Sequence, residues 1–453
     1  MLEKFNIEKI LKTILKNGGD YAEIFYENRK ETNIVFENGK LEKAQSGLDS
    51  GIGLRLLMDG NTFYAYTNEI TEKNLIEIAN KLAQISSSKS KNIDTISFEK
   101  KSALIETKEE VTISKKIEKV FLARDFLSKY NPNIVQFKIV YMDSFQKVEI
   151  VNSLGNIVNE DRVQTVFLTQ VVALKDNILQ TGYEPAGGAQ GFEIFNEIDP
   201  VQVAKIAADR AIQNLTAKKI KGGRMPVVLS SEAGGTMIHE AIGHGLELDL
   251  VNDGMSVYKD KIGQKVASEK ITIIDDGTIP FKRGTTKFDD EGTPTQKTIL
   301  VENGILKEYM SDILNALKAG RKSTGNGRRE SYRFKPIPRM TNTYIAPGND
   351  NPEDILKSVD KGVFVKKMGG GQVNTVTGDF VFEISEGYLI ENGEIGEPIR
   401  DTTLIGNGPE ILKIIDMVGN DLGFGIGTCG KDGQGVPVSD AQPTLRIPEI
   451  VVG

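Results

Sequence analysis

The chain has 453 residues, of which 39% are hydrophobic and 26% charged, and its formal net charge at pH 7 is −7. This length favours two domains, and the negative charge gives no reason to expect direct nucleic-acid binding. One cysteine excludes an internal disulfide, and no run of about 18 apolar residues is present to span a membrane. The amphipathic N-terminus carries acidic residues early and does not resemble a signal peptide, so we expect a cytoplasmic protein.

The first half of the chain alternates amphipathic helices with short strands. Apolar residues at helical spacing predict helices at 7–15, 75–82, 117–127 and 203–215. Alternating or apolar runs predict strands at 33–36, 54–58, 62–67, 135–141 and 163–169. The last two strands have the pattern of half-buried antiparallel strands. The dipeptides Asn38-Gly39 and Asp59-Gly60 predict hairpin turns, and the polar segment 86–91 predicts a loop.

A basic, glycine-containing segment at 218–224 predicts a boundary between domains at 1–220 and 221–453. A short strand at 227–229 follows, and then a helix with Gly234 and Gly235 in its first turns. Glycine there costs about 1 kcal/mol relative to alanine, so it indicates close approach of another backbone or a later helix start. The rest of the chain is β-rich, with hairpin turns predicted at Asp276-Gly277, Asn303-Gly304 and Asn392-Gly393 and a late helix at 411–417.

Both histidines of the chain lie on the helix that follows Gly235, in the sequence His239-Glu240-Ala241-Ile242-Gly243-His244. The pattern is one residue longer than the H-E-x-x-H motif of zinc hydrolases. In a regular helix an i, i+5 pair is offset by about 140°, so the two rings would point apart. We therefore expect the helix to end, bulge or widen near Gly243 and Gly245. The alternative is a pair of ordinary buried polar residues.

A zinc site needs a third protein ligand, and three candidates remain open from the sequence. Glu247 and Asp249 follow the second histidine closely, whereas Cys429 lies far along the chain in a loop of small residues. A lone cysteine is more often a small buried apolar residue than a ligand. Glu240 is the candidate general base, since it directly follows the first histidine, although an exposed helix glutamate would look the same.

Two further segments carry groups with potential roles. The segment 324–332 contains two glycines followed by two arginines and a tyrosine. It is either an oxyanion donor, an anchor for a substrate carboxylate, or a surface loop. The glycine-rich segment 369–375 has the pattern of a bare strand edge that an extended peptide could join, although tight packing explains the glycines equally well.

The chain resembles the TldD/PmbA family, which is often described as a family of DNA gyrase modulators and regarded as zinc metalloproteases. The resemblance extends over nearly the whole length. Its most specific feature is the combination of the two histidines with the late cysteine. The matching segments are 19–49, 239–244, 324–332, 338–343, 369–374, 378–380 and 427–431.

This resemblance implies that His239, His244 and Cys429 are zinc ligands and that Glu240 is the catalytic residue. It also implies a dimer, either of identical chains or with a homologous subunit that lacks the motif. The expected fold is α+β, with an N-terminal α/β domain built on an antiparallel sheet. A larger β-rich C-terminal domain is expected to carry the metal-binding helix. Substrate is expected to enter a narrow central cavity as an unfolded or short peptide and to bind as an added strand.

The sequence thus predicts a cytoplasmic zinc-dependent peptidase in which metal-activated water is deprotonated by a glutamate. One alternative is a non-enzymatic peptide-binding or assembly protein with a structural metal, in which Glu247 or Asp249 would close a four-ligand site. A second alternative is a metal-dependent amidase for small molecules, for which a narrow closed pocket is expected in place of an extended groove.

Overall fold

The structure, a computed structural model, describes residues 1–85, 95–105 and 111–453. The loop predicted at 86–91 lies outside the described residues. Within them, the N-terminal part contains the strands β1 (Tyr21–Glu37), β2 (Lys40–Met58), β3 (Asn61–Thr67), β4 (Glu99–Ala103), β5 (Ile134–Asn152), β6 (Asn156–Lys175) and β7 (Ile178–Gly188). They form one sheet in the order β3-β2-β1-β5-β6-β4, with β7 also paired to β6. Every pairing in this sheet is antiparallel except that of β4 with β6.

Four helices pack on this sheet and confirm the helices predicted from the apolar spacing: α1 (Ile7–Leu15), α2 (Glu72–Ile85), α3 (Ile113–Tyr130) and α4 (Pro200–Thr216). Apolar residues of α1 and α2 share a core with β1 and β2, whereas those of α3 and α4 share a core with β5 and β6. The strands are longer than predicted. β1 continues through the polar stretch 27–33, because strands on both sides supply its backbone hydrogen bonds.

The C-terminal part is β-rich, as predicted. Its strands are β8 (Gly223–Leu229), β9 (Ile273–Asp276), β10 (Lys297–Glu302), β11 (Ile305–Leu306), β12 (Gly327–Arg328), β13 (Ile337–Pro338), β14 (Asn342–Ile345), β15 (Lys361–Val373), β16 (Asp379–Glu391), β17 (Glu394–Ile399), β18 (Thr403–Asn407), β19 (Met417–Val418), β20 (Gly423–Lys431), β21 (Gln434–Gln442) and β22 (Leu445–Val452). Its helices are α5 (Thr236–Ile238), α6 (Leu248–Asn252), α7 (Ile313–Lys318), α8 (Pro352–Lys357) and α9 (Gly408–Ile414).

Two larger sheets enclose the main core of this part. In one sheet β15, β8, β22, β18 and β16 pair in that order, and β16 pairs back to β15, so the strands close into a barrel. The other sheet has the order β11-β10-β9-β14-β21-β20. A single apolar cluster, which includes Ile238, Ile242 and Cys429, lies between them. The histidine-bearing segment is therefore a buried element between the barrel and the second sheet.

The hairpin predictions succeed at four of the five dipeptides. Asn38-Gly39, Asp59-Gly60, Asn303-Gly304 and Asn392-Gly393 all have positive φ at both positions and join adjacent antiparallel strands. The prediction at Asp276-Gly277 is wrong, since neither residue has positive φ and β10 begins only at Lys297. The late helix ends earlier than predicted, because Met417 already belongs to β19.

The protein has the predicted α+β architecture. Among the helices of the described residues, none is long and apolar enough to cross a membrane. The N-terminal sheet ends before 218–224, and the C-terminal sheets begin with β8 at Gly223. We propose that the chain has two domains, at 1–220 and 221–453.

Buried ion pairs join the N-terminal sheet to the C-terminal part. Arg55 on β2 is fully buried and contacts Glu291, with Glu23 at 3.9 Å and Asp312 at 3.7 Å. Arg329 pairs with the same Glu23 from the C-terminal side. Loss of Arg55 would leave buried carboxylates without their counter-charge, which is costly in a low-dielectric environment.

The variant Arg55→Met is therefore expected to lower the free energy of unfolding by about 3–5 kcal/mol. Urea denaturation measures this change. The control is Arg321→Met, which removes an arginine from the exposed ion pair with Glu308 and should cost less than about 1 kcal/mol. Equal effects of the two substitutions would contradict the role assigned to the buried cluster.

Candidate metal centre

The helix that carries the histidines begins after two glycines, not before them. Gly234 and Gly235 have φ values of 88° and 72°, a left-handed conformation in which other residues are strained. A Cβ at Gly235 would overlap the backbone of Ala441. The placement of these glycines in the first helical turns is therefore wrong, whereas the two alternatives that the sequence offered, close approach of another backbone and a later helix start, are both observed. The helix begins at Thr236.

The segment changes its helical geometry between the histidines, as the five-residue spacing predicted, but the change begins at His239, before the predicted positions Gly243 and Gly245. Thr236–Ile238 is α-helical, His239–Gly243 forms a wider π-helical turn, and His244–Leu246 forms a tighter 3-10 turn. The wider turn adds a residue without rotating the second ring away. As a result the two imidazole centroids lie 4.9 Å apart. Met340 packs against Gly243 so closely that a side chain there would overlap its sulfur.

Cys429 reaches the histidines from the opposite end of the sequence. It lies on β20, whose hairpin with β21 turns at Asp432-Gly433. Its sulfur is 3.1 Å from Nε2 of His239 and 3.4 Å from Nε2 of His244. The buried Arg339 donates a hydrogen bond to the carbonyl oxygen of Cys429 and so helps to hold β20 in place.

Two carboxylates hold the far sides of the imidazole rings. Nδ1 of His239 lies 2.8 Å from Asp440, and Nδ1 of His244 lies 2.9 Å from Glu247. Donation from Nδ1–H to a carboxylate orients each ring so that its Nε2 faces the sulfur, and loss of the Nε2 proton would make that nitrogen a metal ligand. Lys431 contacts Glu247 at 3.0 Å and Asp249 at 2.7 Å, which compensates these buried acids.

The pKa directions reflect this charged arrangement. Burial alone would raise the pKa of the Cys429 thiol, but the hydrogen bonds with His239 and His244 lower it to about 5. Burial opposes protonation of His239, yet Asp440 and Cys429 outweigh it and raise the pKa of the ring. A thiolate between two imidazoles is the ionic form in which cysteine binds metals.

These three side chains fit a metal ion. One donor atom from each of His239, His244 and Cys429 lies within 4.8 Å of the others. A tetrahedral zinc with N and S ligands separates its donor atoms by roughly 3.3–3.6 Å, close to the two measured N–S distances. Among the histidine, cysteine, aspartate and glutamate residues that the structure describes, His239, His244 and Cys429 are the group close enough together to hold a metal ion.

The other candidate ligands from the sequence point elsewhere. Glu247 supports His244 from behind and, like Asp249, binds Lys431. Neither belongs to the group of donor atoms that could hold the metal. The segment 324–332 is neither a surface loop nor part of this site, because most of its residues are buried at the junction with the N-terminal sheet.

Glu240 borders a cleft of about 1030 Å³ together with His239, His244 and Cys429. Burial raises the pKa of the Glu240 carboxyl, although the neighbouring histidines oppose the shift. Among the described residues, none donates a hydrogen bond to this carboxylate. The side chain is therefore available to a molecule in the cleft.

Three strands contribute residues to the walls of the cleft. They come from β7 near Tyr183, from β15 near Gly369 and Gly370, and from β20 between Phe424 and Lys431. Within the described structure, β7 pairs only with β6 and β20 only with β21, so each has one unpaired edge. The bare strand edge predicted at 369–375 is in part paired with β16, and two of its glycines, Gly369 and Gly370, line the cleft.

Comparison with known proteins identifies the family. Three consecutive family profiles match the chain: PmbA/TldA metallopeptidase domain 1 at 22–86, the central domain at 91–215 and the C-terminal domain at 222–453. A metalloprotease TldD homolog from Buchnera aphidicola is 38% identical over 447 residues, which cover 96% of this chain and 92% of the relative. The chain belongs to the PmbA/TldD family.

Another PmbA/TldD relative, a zinc metalloprotease TldD homolog from Saccharolobus solfataricus, is 31% identical and covers 98% of this chain and 99% of its own. Solved PmbA/TldD-like structures share the fold over the full length. TldE from Thermococcus kodakarensis has a TM-score of 0.78 at 20% identity, covering 99% of both chains. A candidate modulator of a DNA gyrase from Thermotoga maritima has a TM-score of 0.80 at 24% identity, covering 100% of both.

The sequence did not reveal the residues that support the candidate metal ligands. It gave no role to Asp440, Lys431 or Arg339, and it offered Glu247 only as a ligand. The signal for Asp440 is hidden, because nothing in its local sequence pattern relates it to a histidine 201 positions away. The pairing of β21 with β14 and β20 brings the Asp440 carboxylate next to the imidazole ring of His239.

Proposed function

We propose that the chain is a zinc-dependent peptidase that hydrolyses unfolded or short peptides. In this proposal His239, His244 and Cys429 are the zinc ligands and Glu240 is the general base. The observation that carries the proposal is the convergence of three donor atoms within 4.8 Å at the wall of a large cleft, next to an available carboxylate. The metalloprotease names of full-length relatives support the same reaction class.

In the proposed reaction, Glu240 accepts a proton from the attacking water and delivers it to the leaving amine. Its burial strengthens it as a base. Asp440 and Glu247 keep the two imidazoles oriented throughout. Zinc bound at this centre supplies Lewis acidity, which acidifies water and polarises the scissile carbonyl.

The cleft supports a peptide as substrate in preference to a small amide. Its volume of about 1030 Å³ is at the upper end of the range for small-molecule pockets. An extended peptide can add to the unpaired edge of β20 or β7 through main-chain hydrogen bonds. Such bonds involve no side chains, which implies low sequence specificity.

The rival function, a peptide-binding or assembly protein with a structural metal, would need a closed four-ligand site. Glu247 and Asp249 were the candidates for that fourth ligand, and both are bound by Lys431. The presence of Glu240 in the same cleft as the three donor residues favours catalysis. We further propose a cytoplasmic protein that forms a homodimer, or a heterodimer with a motif-lacking homologous subunit. The structural likeness to TldE is consistent with the second arrangement.

Metal removal tests this function. We expect the zinc-loaded protein to digest a pool of unstructured peptides, and we expect chelation to abolish digestion until zinc is restored. Mass spectrometry of the pool provides the readout. Unchanged digestion after complete zinc removal would contradict a metal-dependent reaction. Full zinc occupancy without cleavage of any peptide would favour the structural-metal alternative.

A further inference from the structure

Large aromatic side chains stay exposed on the walls of the cleft that holds the candidate metal centre. Phe281 is 62% exposed and Tyr183 is 48% exposed, and both line this cleft together with the half-buried Phe424. A ring that remains in water gives up the stabilisation that burial of an aromatic side chain usually provides. Exposed apolar residues grouped in a concave site are typical of a surface that a ligand covers.

The backbone holds Phe281 in place at an energetic cost. Its φ is 65°, a left-handed conformation that is strained for a bulky residue. The Phe281 carbonyl oxygen accepts a hydrogen bond of 3.0 Å from the N–H of Ala189, which ties this loop to the end of β7. Gly188 permits the contact, because a Cβ there would overlap the same oxygen. A fixed backbone therefore presents a ring whose surface is mostly in contact with solvent.

β20 connects these aromatic side chains to the metal centre. Side chains alternate between the two faces of a strand, so Gly423, Gly425 and Cys429 share one face. On that face a Cβ at Gly423 would overlap Ser231, and a Cβ at Gly425 would overlap Gly234. The glycines thus let β20 pack tightly against the segment that precedes the histidine-bearing helix. Cys429 continues the same face toward the two histidines.

The opposite face of β20 carries Phe424, Ile426 and Thr428. The Nζ of Lys282 lies 4.2 Å from the centre of the Phe424 ring, and Nη2 of Arg283 donates to Thr428 at 3.1 Å. Burial lowers the pKa of Lys282, so this region is partly withdrawn from water. Phe281 directly precedes these two residues, so the loop that lies over the Phe424 face also supplies the exposed ring.

We propose that Phe281, Tyr183 and Phe424 form a subsite for one large apolar side chain of the peptide substrate, with phenylalanine as a fitting occupant. The inference rests on the proposed peptidase function, in which the peptide pairs with the edge of β20 that is unpaired among the described strands. In such a pairing, each peptide side chain lies on the same face as the β20 residue opposite it.

The position of the subsite along β20 fixes where the apolar residue lies in the substrate. Phe424 and Cys429 are five positions apart on this strand, and both line the cleft. A peptide paired with β20 advances by the same rise per residue, so its apolar side chain lies about five residues from the bond at the metal. Main-chain bonds to β20 stay independent of sequence, and the subsite adds one preference at this distance.

A series of serine- and glycine-rich peptides, in which one phenylalanine moves by one position at a time, tests the proposal. Mass spectrometry identifies the cleaved bond, which should move with the phenylalanine and stay about five residues from it. We expect kcat/KM to be at least about tenfold higher than for the same peptide with serine in place of phenylalanine, the effect of burying one aromatic side chain. Cleavage whose position and rate ignore the phenylalanine would overturn the proposal.

Substitutions of Phe281 assign the preference to this subsite. In Phe281→Ala the ratio of kcat/KM between the phenylalanine and serine peptides should fall close to one, whereas Phe281→Leu, which keeps a large apolar side chain, should retain most of it. The control Leu154→Ala removes a side chain that is 64% exposed in the turn between β5 and β6, and it should keep the wild-type ratio. A preference that persists in Phe281→Ala would contradict the assignment.

Binding measurements separate this proposal from the peptidase function. Fluorescence anisotropy of the phenylalanine and serine peptides, labelled at the N-terminus, reports the preference even if neither peptide is cleaved. A preference in binding without cleavage would support the subsite and contradict only the peptidase function, whereas equal binding by the wild-type protein would overturn the subsite. Light scattering should give the same oligomeric state for Phe281→Ala and wild type. A change of state would assign the ring to a contact between subunits and overturn the subsite.

Discussion

Replacement of Glu240 by glutamine is expected to lower kcat by about 10²–10⁴-fold, the usual contribution of a general base. The amide cannot accept a proton, yet it has nearly the same size, and in the proposed site residue 240 is not a metal ligand. The zinc content should therefore remain near one ion per chain. Steady-state hydrolysis of a peptide and metal analysis of the same preparation measure both quantities.

The matched control is Glu308→Gln, a glutamate in an exposed ion pair with Arg321. Its kcat should equal that of the wild type. Full activity of Glu240→Gln would remove the proposed mechanism, because the described residues that line the centre offer no equivalent free base. Loss of zinc in Glu240→Gln would instead reassign the residue to metal binding.

Replacement of Cys429 by alanine is expected to weaken zinc binding by more than about 100-fold, the upper limit for loss of a supporting residue around a metal. Only two imidazole nitrogens would remain, and a stable zinc site needs three protein ligands. Hydrolysis should be lost together with the metal. Competition with a fluorescent chelator measures the affinity.

Cys429→Ser controls for packing, because the serine preserves the shape of the buried side chain but provides a poor zinc ligand. We expect both variants to fold and both to lose zinc. Retention of stoichiometric zinc by Cys429→Ala would contradict the ligand assignment.

Much of the N-terminal fold could be predicted from the sequence. The apolar spacing of α1 to α4 is regular, and hairpin dipeptides with positive φ encode their turns locally. The barrel closure could not be predicted, since it depends on β15 pairing with both β8 and β16. Asp276-Gly277 was misread because the dipeptide permits a tight turn but does not require one.

At the site, the irregular helix could be predicted because the five-residue spacing of the histidines conflicts with a regular helix. The position of Gly235 depended on a contact with Ala441, 206 positions later, which no local pattern reveals. Asp440 and Lys431 were missed for the same reason. Their roles depend on which strands meet, and sequence patterns report each strand only by itself.

X-ray absorption at the zinc edge tests the central claim most directly, because it counts the sulfur and nitrogen neighbours of the ion. For the zinc-loaded wild-type protein we predict one sulfur at about 2.3 Å and nitrogen or oxygen neighbours at about 2.0–2.1 Å. The imidazole contribution should correspond to two rings. A spectrum without a sulfur neighbour would contradict the assignment of His239, His244 and Cys429 as one metal centre.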